Sequence, residues 1–155
     1  MPERVIHDSF TIEKSYKVSP ARVFAAFADP ERKRRWYAET GAHDVVSYML
    51  DFRVGGEEAL VGRMRAGTPV AGATLTWRQA FVDIAPDGRI VFTQTVDMDG
   101  RLISCALATV EIEPAGAGTL LRFTHQAAFF EGADGPHLRR IGWDLLLSAA
   151  EGAME

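Results

Sequence analysis

The chain has 155 residues, of which 47% are hydrophobic and 25% charged, and its formal net charge at pH 7 is −4. A chain of this length can bury a sizeable core, and its composition is far from that of disordered proteins. The negative balance excludes a long-range attraction for nucleic-acid phosphates, which requires a strongly basic surface. We therefore expect one folded domain over residues 1–155, with no nucleic-acid partner.

Cysteine and histidine usage argues against disulfides, metals and cofactors. Cys105 is the only cysteine, so an intramolecular disulfide is impossible. No glycine-rich strand-to-helix fingerprint for a nucleotide is present. The sequence thus predicts neither a metal site nor a cofactor, since the four histidines lack the paired spacing of common zinc motifs; they are His7, His43, His125 and His137.

The N-terminus and the hydropathy pattern indicate a cytoplasmic protein. Residues 1–10 alternate charged and apolar side chains and lack the apolar core of a secretory signal. No stretch approaches the roughly 18 apolar residues needed to cross a bilayer. We expect a soluble, cytoplasmic chain without a membrane span.

The first elements in chain order are a strand and two short helices. Apolar residues alternate with polar ones from Phe10 to Val18, which is the period of a half-buried strand. Ser19-Pro20 then supplies a helix cap followed by the residue best tolerated in a first helical turn. Asp29-Pro30 repeats this signal and predicts a second short helix from Glu31 to Tyr37.

Six further strands follow, separated by glycine-containing turns such as Pro86-Asp87-Gly88 and Asp99-Gly100. In the first of them Val46, Tyr48 and Leu50 are expected to share the apolar face. Period-two alternation predicts these strands over residues 45–52, 58–65, 73–84, 89–99, 102–113 and 119–127.

The last element changes to helical spacing over residues 138–149. Leu138, Ile141 and Leu145 recur at helical intervals, and Trp143 widens the arc, so we expect this helix to be buried along most of its length. It is the only large element available to cover the apolar face of the sheet. The sequence therefore predicts an α+β fold in which a curved antiparallel sheet wraps around a long C-terminal helix and leaves a cavity between them.

Several short motifs, in this order and spacing, resemble one superfamily over nearly the whole chain. They are Ser19-Pro20-Ala21-Arg22-Val23-Phe24, Asp29-Pro30, Trp36, Asp51-Phe52-Arg53-Val54-Gly55-Gly56, Gly118-Thr119, Phe123-Thr124-His125 and Gly142-Trp143. The pattern resembles the SRPBCC superfamily of START-like, helix-grip proteins, and within it the subgroup named for homology to activators of the heat-shock chaperone ATPase.

The resemblance implies a helix-grip fold with a deep pocket between the sheet and the C-terminal helix. The superfamily includes lipid and hormone binders, polyketide cyclases and hydroxylating oxygenase subunits, so the activity does not follow from the fold. It has to be argued from the residues that face the pocket.

The candidate ligand-binding residues are polar or aromatic side chains on apolar faces of the predicted elements. A buried polar group requires a hydrogen-bond partner, and a ligand can supply it. The alternative for each polar side chain is a bond to a neighbour or a buried water, or a bulge that moves it out of phase. Indoles provide flat apolar walls, although core packing explains them equally well and is favoured for Trp36. The candidates are Tyr48, Trp77, Gln79, Gln94, His125 and Trp143.

These features favour a non-enzymatic protein that binds a small apolar or aromatic molecule. One alternative is a cyclase- or hydrolase-like enzyme in which His125 or a carboxylate moves a proton in the same pocket. Another is a chaperone-related or regulatory interaction protein, which should expose an apolar patch outside the pocket. An unpaired edge strand also offers a route to a homodimer.

Overall fold

A seven-stranded antiparallel sheet is the main element of the computed structural model, which describes residues 4–155. The strands are β1 (Ile6–Tyr16), β2 (His43–Leu50), β3 (Glu57–Met64), β4 (Thr74–Ala85), β5 (Arg89–Met98), β6 (Arg101–Ala115) and β7 (Gly118–Phe129). The helices are α1 (Pro20–Ala28), α2 (Pro30–Lys33) and α3 (Pro136–Ala149); a π-helical segment (Arg34–Ala38) follows α2 and a 3-10 turn (Ala150–Ala153) follows α3.

Strands β2 to β7 form a continuous meander, and β1 pairs with β7, so the sheet order is β1-β7-β6-β5-β4-β3-β2. The predicted α+β helix-grip fold, with two short helices after the first strand, is confirmed. Strand β1 begins at Ile6, four residues before the predicted start, because its pairing with β7 continues outward to Phe129. The expected lack of a secretory signal concerns in part residues 1–3, which lie outside the described residues.

The short helices begin where their caps predict. The side chain of Ser19 accepts a hydrogen bond from the Arg22 amide at 3.4 Å, and that of Asp29 accepts one from the Glu31 amide at 3.0 Å. Such caps satisfy amides that have no partner within the helix. After Lys33 the helix widens into the π-helical segment, and the neighbouring residues Trp36 and Tyr37 are both buried.

One prediction for β2 is wrong. Val46 was expected on the buried face with Tyr48 and Leu50, but its side chain is 60% exposed. The pairing of β2 with β3 shifts register between Val45 and Ser47. A bulge adds one residue to a strand and reverses the alternation at that point, which turns Val46 toward solvent.

The buried face of α3 also differs from the prediction. Leu138, Ile141 and Leu145 are 55%, 43% and 66% exposed. The side that faces the sheet instead carries Arg139, Trp143 and Leu147. These three residues are four apart and therefore lie one above another on the helix; the apolar arc is wider than the strip that the sheet covers.

Aromatic contacts fix α3 against the sheet. The Trp143 ring lies 4.5 Å from Phe123, 6.3 Å from Phe92 and 6.1 Å from Tyr37, measured between ring centroids. Each such pair contributes about 0.5–1.5 kcal/mol beyond the area it buries. At the other end of the helix the Tyr16 hydroxyl donates to the Leu147 carbonyl at 2.7 Å. Contacts at Trp143 and at Leu147 thus hold the helix against the rest of the fold.

Candidate functional site

A cavity of about 340 Å³ lies between α3 and strands β3 to β5. Its volume falls within the range of small-molecule sites, roughly 300–1,000 Å³. Tyr37 of the π-helical segment and residues 40–42 of the loop after it line one side of the cavity. Its mouth is formed by exposed lining residues of α3, which are Leu138, Gly142 and Leu145. The lining residues are Tyr37, Thr40, Gly41, Ala42, His43, Leu60, Met64, Trp77, Gln94, Asp134, Leu138, Arg139, Gly142, Trp143, Leu145 and Leu146.

Most of this lining is apolar. Trp77 and Trp143 supply two indoles, and Leu60 and Met64 extend the apolar wall along β3. Leu60 also belongs to the buried core, at 2% exposure. A cavity of this type favours a ligand that transfers apolar surface out of water.

The structure brings three of the six predicted site residues to the cavity. Trp77, Gln94 and Trp143 line it. The other three, Tyr48 on β2, Gln79 on β4 and His125 on β7, do not belong to the lining. Binding by any of the six stays a prediction.

Gln94 meets the cavity next to a tyrosine that the sequence analysis missed. Its Nε2 donates to the Tyr37 hydroxyl at 3.2 Å. Burial is the main cause that raises the pKa of Tyr37 well above its usual range, and the nearby Glu58 carboxylate raises it further. The tyrosine therefore remains a neutral hydroxyl at physiological pH and can donate a hydrogen bond.

Gln79 occupies the middle of a buried polar row across three strands. It is paired in register with Glu58 on β3 and with Gln94 on β5. Its side chain is fully buried, and it lies close enough to the Tyr37 hydroxyl to lower the pKa of that group. Neither amide atom of Gln79, however, has a hydrogen-bond partner of good geometry among the described residues.

Glu58, at one end of this row, is also the centre of a second polar cluster. The Lys33 ammonium approaches the Glu58 carboxylate to 2.9 Å, and both side chains are almost completely buried, at 3% and 0% exposure. The Tyr48 hydroxyl donates to the other carboxylate oxygen at 2.5 Å. Burial and the Glu58 charge both raise the pKa of Tyr48. Tyr48 thus has a protein partner that accounts for its hydroxyl.

Arg139 is a buried charge on the α3 side of the cavity. Its Nε and Nη2 donate to the two Asp134 carboxylate oxygens at 2.8 and 2.7 Å, and Nη2 also donates to the Ser104 hydroxyl at 2.9 Å. The guanidinium carbon lies 5.1 Å from the centre of the Phe129 ring. The remaining nitrogen, Nη1, is buried without a hydrogen-bond partner among the described residues.

His125 packs among aromatic rings and does not line the cavity. Its ring stacks on Phe10 at 4.8 Å, with Phe123 and Phe129 at 6.1 and 6.5 Å. Burial, and to a lesser extent the Arg139 charge, lowers the pKa of His125 from 6.5 to about 4. The imidazole is therefore neutral at physiological pH, and neither ring nitrogen has a hydrogen-bond partner in the part of the chain described.

Tyr37, Arg139 and Asp134 are the important residues that sequence reasoning missed. The π-helical segment gave no periodic signal for Tyr37. A signal for Arg139 existed, because it lies four residues before Trp143 and eight before Leu147, on the face that is buried. A charged residue in such a row is an exception that requires a partner.

Two further observations concern metal binding and membrane crossing. Within residues 4–155, no three His, Cys, Asp or Glu side chains group in a way that would hold a metal ion. None of the helices in the same range combines the length and the apolar character that a bilayer crossing demands.

The sheet, the helix held against it and the cavity between them define a helix-grip α+β protein. The chain belongs to the family described as Activator of Hsp90 ATPase homolog 1-like protein, whose family model matches residues 17–150. The resemblance to this SRPBCC-type family, expected from the motifs, is confirmed.

Solved structures from bacteria are similar over almost their full length. A putative uncharacterized protein from Rhizobium leguminosarum shares 32% identity, with 99% of this chain and 98% of that chain covered and a TM-score of 0.88. The Mll3558 protein from Rhizobium loti shares 41% identity, with 97% and 99% covered and a TM-score of 0.83. An AHSA1-like protein from Aeromonas hydrophila, at 20% identity, covers 94% and 91% with a TM-score of 0.67 and shares the fold. The search of curated proteins finds no match.

Proposed function

We propose that this protein binds a small, mainly apolar or aromatic molecule in the cavity between α3 and strands β3 to β5. The observation that carries the proposal is a cavity of about 340 Å³ with a largely apolar lining and only a few polar groups. Ligand sites of soluble proteins commonly combine these two properties.

The exposed leucines of α3 support the same interpretation. Leu138 and Leu145 are more than half exposed, yet both also line the cavity. An exposed apolar patch was the feature expected of an interaction protein. Because two of its members belong to the cavity mouth, a path for an apolar ligand accounts for this patch without a protein partner.

The enzymatic alternative receives no comparable support. That alternative relied on His125 or on a carboxylate. His125 does not line the cavity, and its pKa of about 4 makes it a weak proton acceptor near neutral pH. The carboxylate in the lining, Asp134, is paired with Arg139. A binding role requires no reactive group and is consistent with the lining as it stands.

Gly142 offers a direct test, because it lines the cavity and a Cβ atom added there meets no heavy atom within 4 Å. In the Gly142→Phe variant we expect the aromatic ring to occupy the mouth and weaken binding of the neutral fluorescent probe N-phenyl-1-naphthylamine at least tenfold. Gly142→Ala is the matched control and should bind the probe as the wild type does.

Fluorescence titration gives the dissociation constants, and thermal unfolding verifies that both variants are folded. Trp77 and Trp143 line the cavity whereas Trp36 does not, so energy transfer from tryptophan to the bound probe adds a second signal. Equal affinity of wild type and Gly142→Phe would place the probe elsewhere and contradict the proposal.

A further inference from the structure

We infer that the ligand carries a neutral carbonyl group whose oxygen accepts a hydrogen bond from Nη1 of Arg139. This inference rests on the proposed function, because it assigns the polar part of the same ligand. Arg139 lines the cavity and is only 8% exposed, and its Nη1 has no hydrogen-bond partner among residues 4–155. Because neighbouring atoms cover Nη1 in this structure, side chains around it move aside when the ligand oxygen binds.

The other nitrogens of the guanidinium are fully used. Nε and Nη2 form a two-pronged contact with Asp134, and Nη2 also donates to Ser104. These contacts fix the plane of the guanidinium and leave the N–H bonds of Nη1 as its free donors. A buried donor that lacks an acceptor is unfavourable, so a ligand oxygen that supplies the acceptor gains affinity.

The charge of the site favours a carbonyl over a carboxylate. Asp134 already balances Arg139 through contacts of 2.7 and 2.8 Å. The other buried cation of this region, Lys33, is balanced by Glu58. A carboxylate ligand would therefore add an uncompensated negative charge to a largely apolar cavity, whereas a carbonyl accepts the same hydrogen bond without one.

The remaining lining fits a carbonyl attached to a flat apolar body. The neutral Tyr37 hydroxyl lies beside Gln94, and both line the cavity. Trp77 and Trp143 add apolar walls to the same space. An aromatic ketone, ester or amide matches this combination of donors and indoles.

Three probes of nearly equal shape test the inference on the wild-type protein. They are 2-acetylnaphthalene, 2-isopropenylnaphthalene, in which a CH2 group replaces the carbonyl oxygen, and 2-naphthoate. Dissociation constants are obtained from the tryptophan indole N–H resonances during titration. We expect the ketone to bind roughly ten- to a hundredfold more tightly than the hydrocarbon, as a hydrogen bond to a charged donor predicts, and more tightly than the carboxylate.

The outcomes separate this inference from the proposed function. Equal binding of ketone and hydrocarbon, or tighter binding of the hydrocarbon, overturns the role of Arg139 while the apolar site stands. Tightest binding of the carboxylate overturns the neutral carbonyl. Failure of all three probes, together with N-phenyl-1-naphthylamine, overturns the proposed function as well.

The Arg139→Lys variant provides an independent readout. Lysine keeps a cation beside Asp134 but has no second nitrogen in a fork. We expect the preference for the ketone over the hydrocarbon to disappear, and thermal unfolding verifies that the variant is folded. Retention of the ketone preference in this folded variant overturns the inference.

Discussion

Two ion pairs of this protein, each with a buried cation, differ in how completely their polar atoms are satisfied. The Lys33–Glu58 pair beneath α2 has the Tyr48 hydroxyl as a third member, and the Lys33 ammonium also lies 4.7 Å from the centre of the Tyr37 ring. The Arg139–Asp134 pair at the start of α3 leaves one guanidinium nitrogen without a hydrogen-bond partner among the residues that the structure describes. The first pair is explained by the fold alone, whereas the second has donor capacity that the fold does not use.

The difference between the two pairs indicates which buried polar groups are candidates for ligand binding. Burial of a charge is compatible with a purely structural role when every hydrogen-bonding atom is occupied. A buried donor that lacks an acceptor and belongs to a residue lining a cavity is a better indicator of a ligand. By this criterion Arg139 is a stronger candidate than Tyr48, which the sequence suggested.

The largest expected effect on stability concerns the Lys33–Glu58 pair. Glu58→Gln leaves the Lys33 ammonium buried without a carboxylate, so we expect a loss of about 3–5 kcal/mol in the free energy of unfolding. Urea denaturation followed by far-UV circular dichroism measures it. The double variant Lys33→Met/Glu58→Gln removes the unpaired charge and should recover most of the loss. A single variant as stable as the wild type would show that the pair is not structural.

The next effect is a dependence of stability on pH that originates at His125. Its folded-state pKa of about 4 lies below its ordinary value of 6.5, so the unfolded chain binds the proton more readily. The stability that this neutral imidazole contributes is complete above pH 6.5 and is lost as the pH falls toward 4. By pH 4.5 we expect roughly 2–3 kcal/mol to be lost.

His125→Phe isolates this contribution, because phenylalanine can keep the stacking on Phe10 but does not titrate. The quantity to compare is the change in unfolding free energy between pH 6.5 and pH 4.5 in the two proteins. The variant should lose less than the wild type, by the amount given above. Parallel pH profiles would mean that His125 is protonated in the folded protein as readily as in the unfolded chain.

The smallest expected effect is a gain in stability at Gly142, in the cavity mouth. Gly142 lies within α3, and a Cβ atom there would meet no heavy atom within 4 Å among the described residues, apart from the helix's own nearby backbone. Gly142→Ala should therefore stabilise the protein by about 0.5–1 kcal/mol through helix propensity. Chemical denaturation is sensitive enough to measure this gain. A decrease in stability would indicate that the space beside Gly142 is narrower than described.

The sequence predicted the fold well because each element has a local signal. Ser19 and Asp29 are side-chain caps, and the turn at Asp99-Gly100 adopts the positive φ values that favour such a dipeptide, 51° and 84°. Alternation located all seven strands. These signals act between residues close in sequence, so one chain is enough to read them.

The site was predicted less completely because it depends on irregular backbone and on how far the sheet covers α3. The bulge at Val46 has no clear pattern in sequence. The apolar arc of α3 is broad, and its pattern alone did not distinguish the buried Trp143 from the exposed Leu145. Arg139 lies four residues before Trp143 on the buried side of α3, but the broad apolar arc did not show which side of the helix the sheet covers.

The π-helical segment Arg34–Ala38 has a consequence for related chains. A π-helical turn contains one residue more than the α-helix it interrupts, so deletion of a single codon within the segment would restore regular winding. The residues on either side of the deletion would keep their orientation, whereas the segment would have one residue fewer to turn toward the interior. Trp36 and Tyr37 could no longer both face inward, and Gln94 would lose its tyrosine. The length of this five-residue segment is therefore a marker, readable in any aligned relative, for chains that keep the polar wall of the cavity.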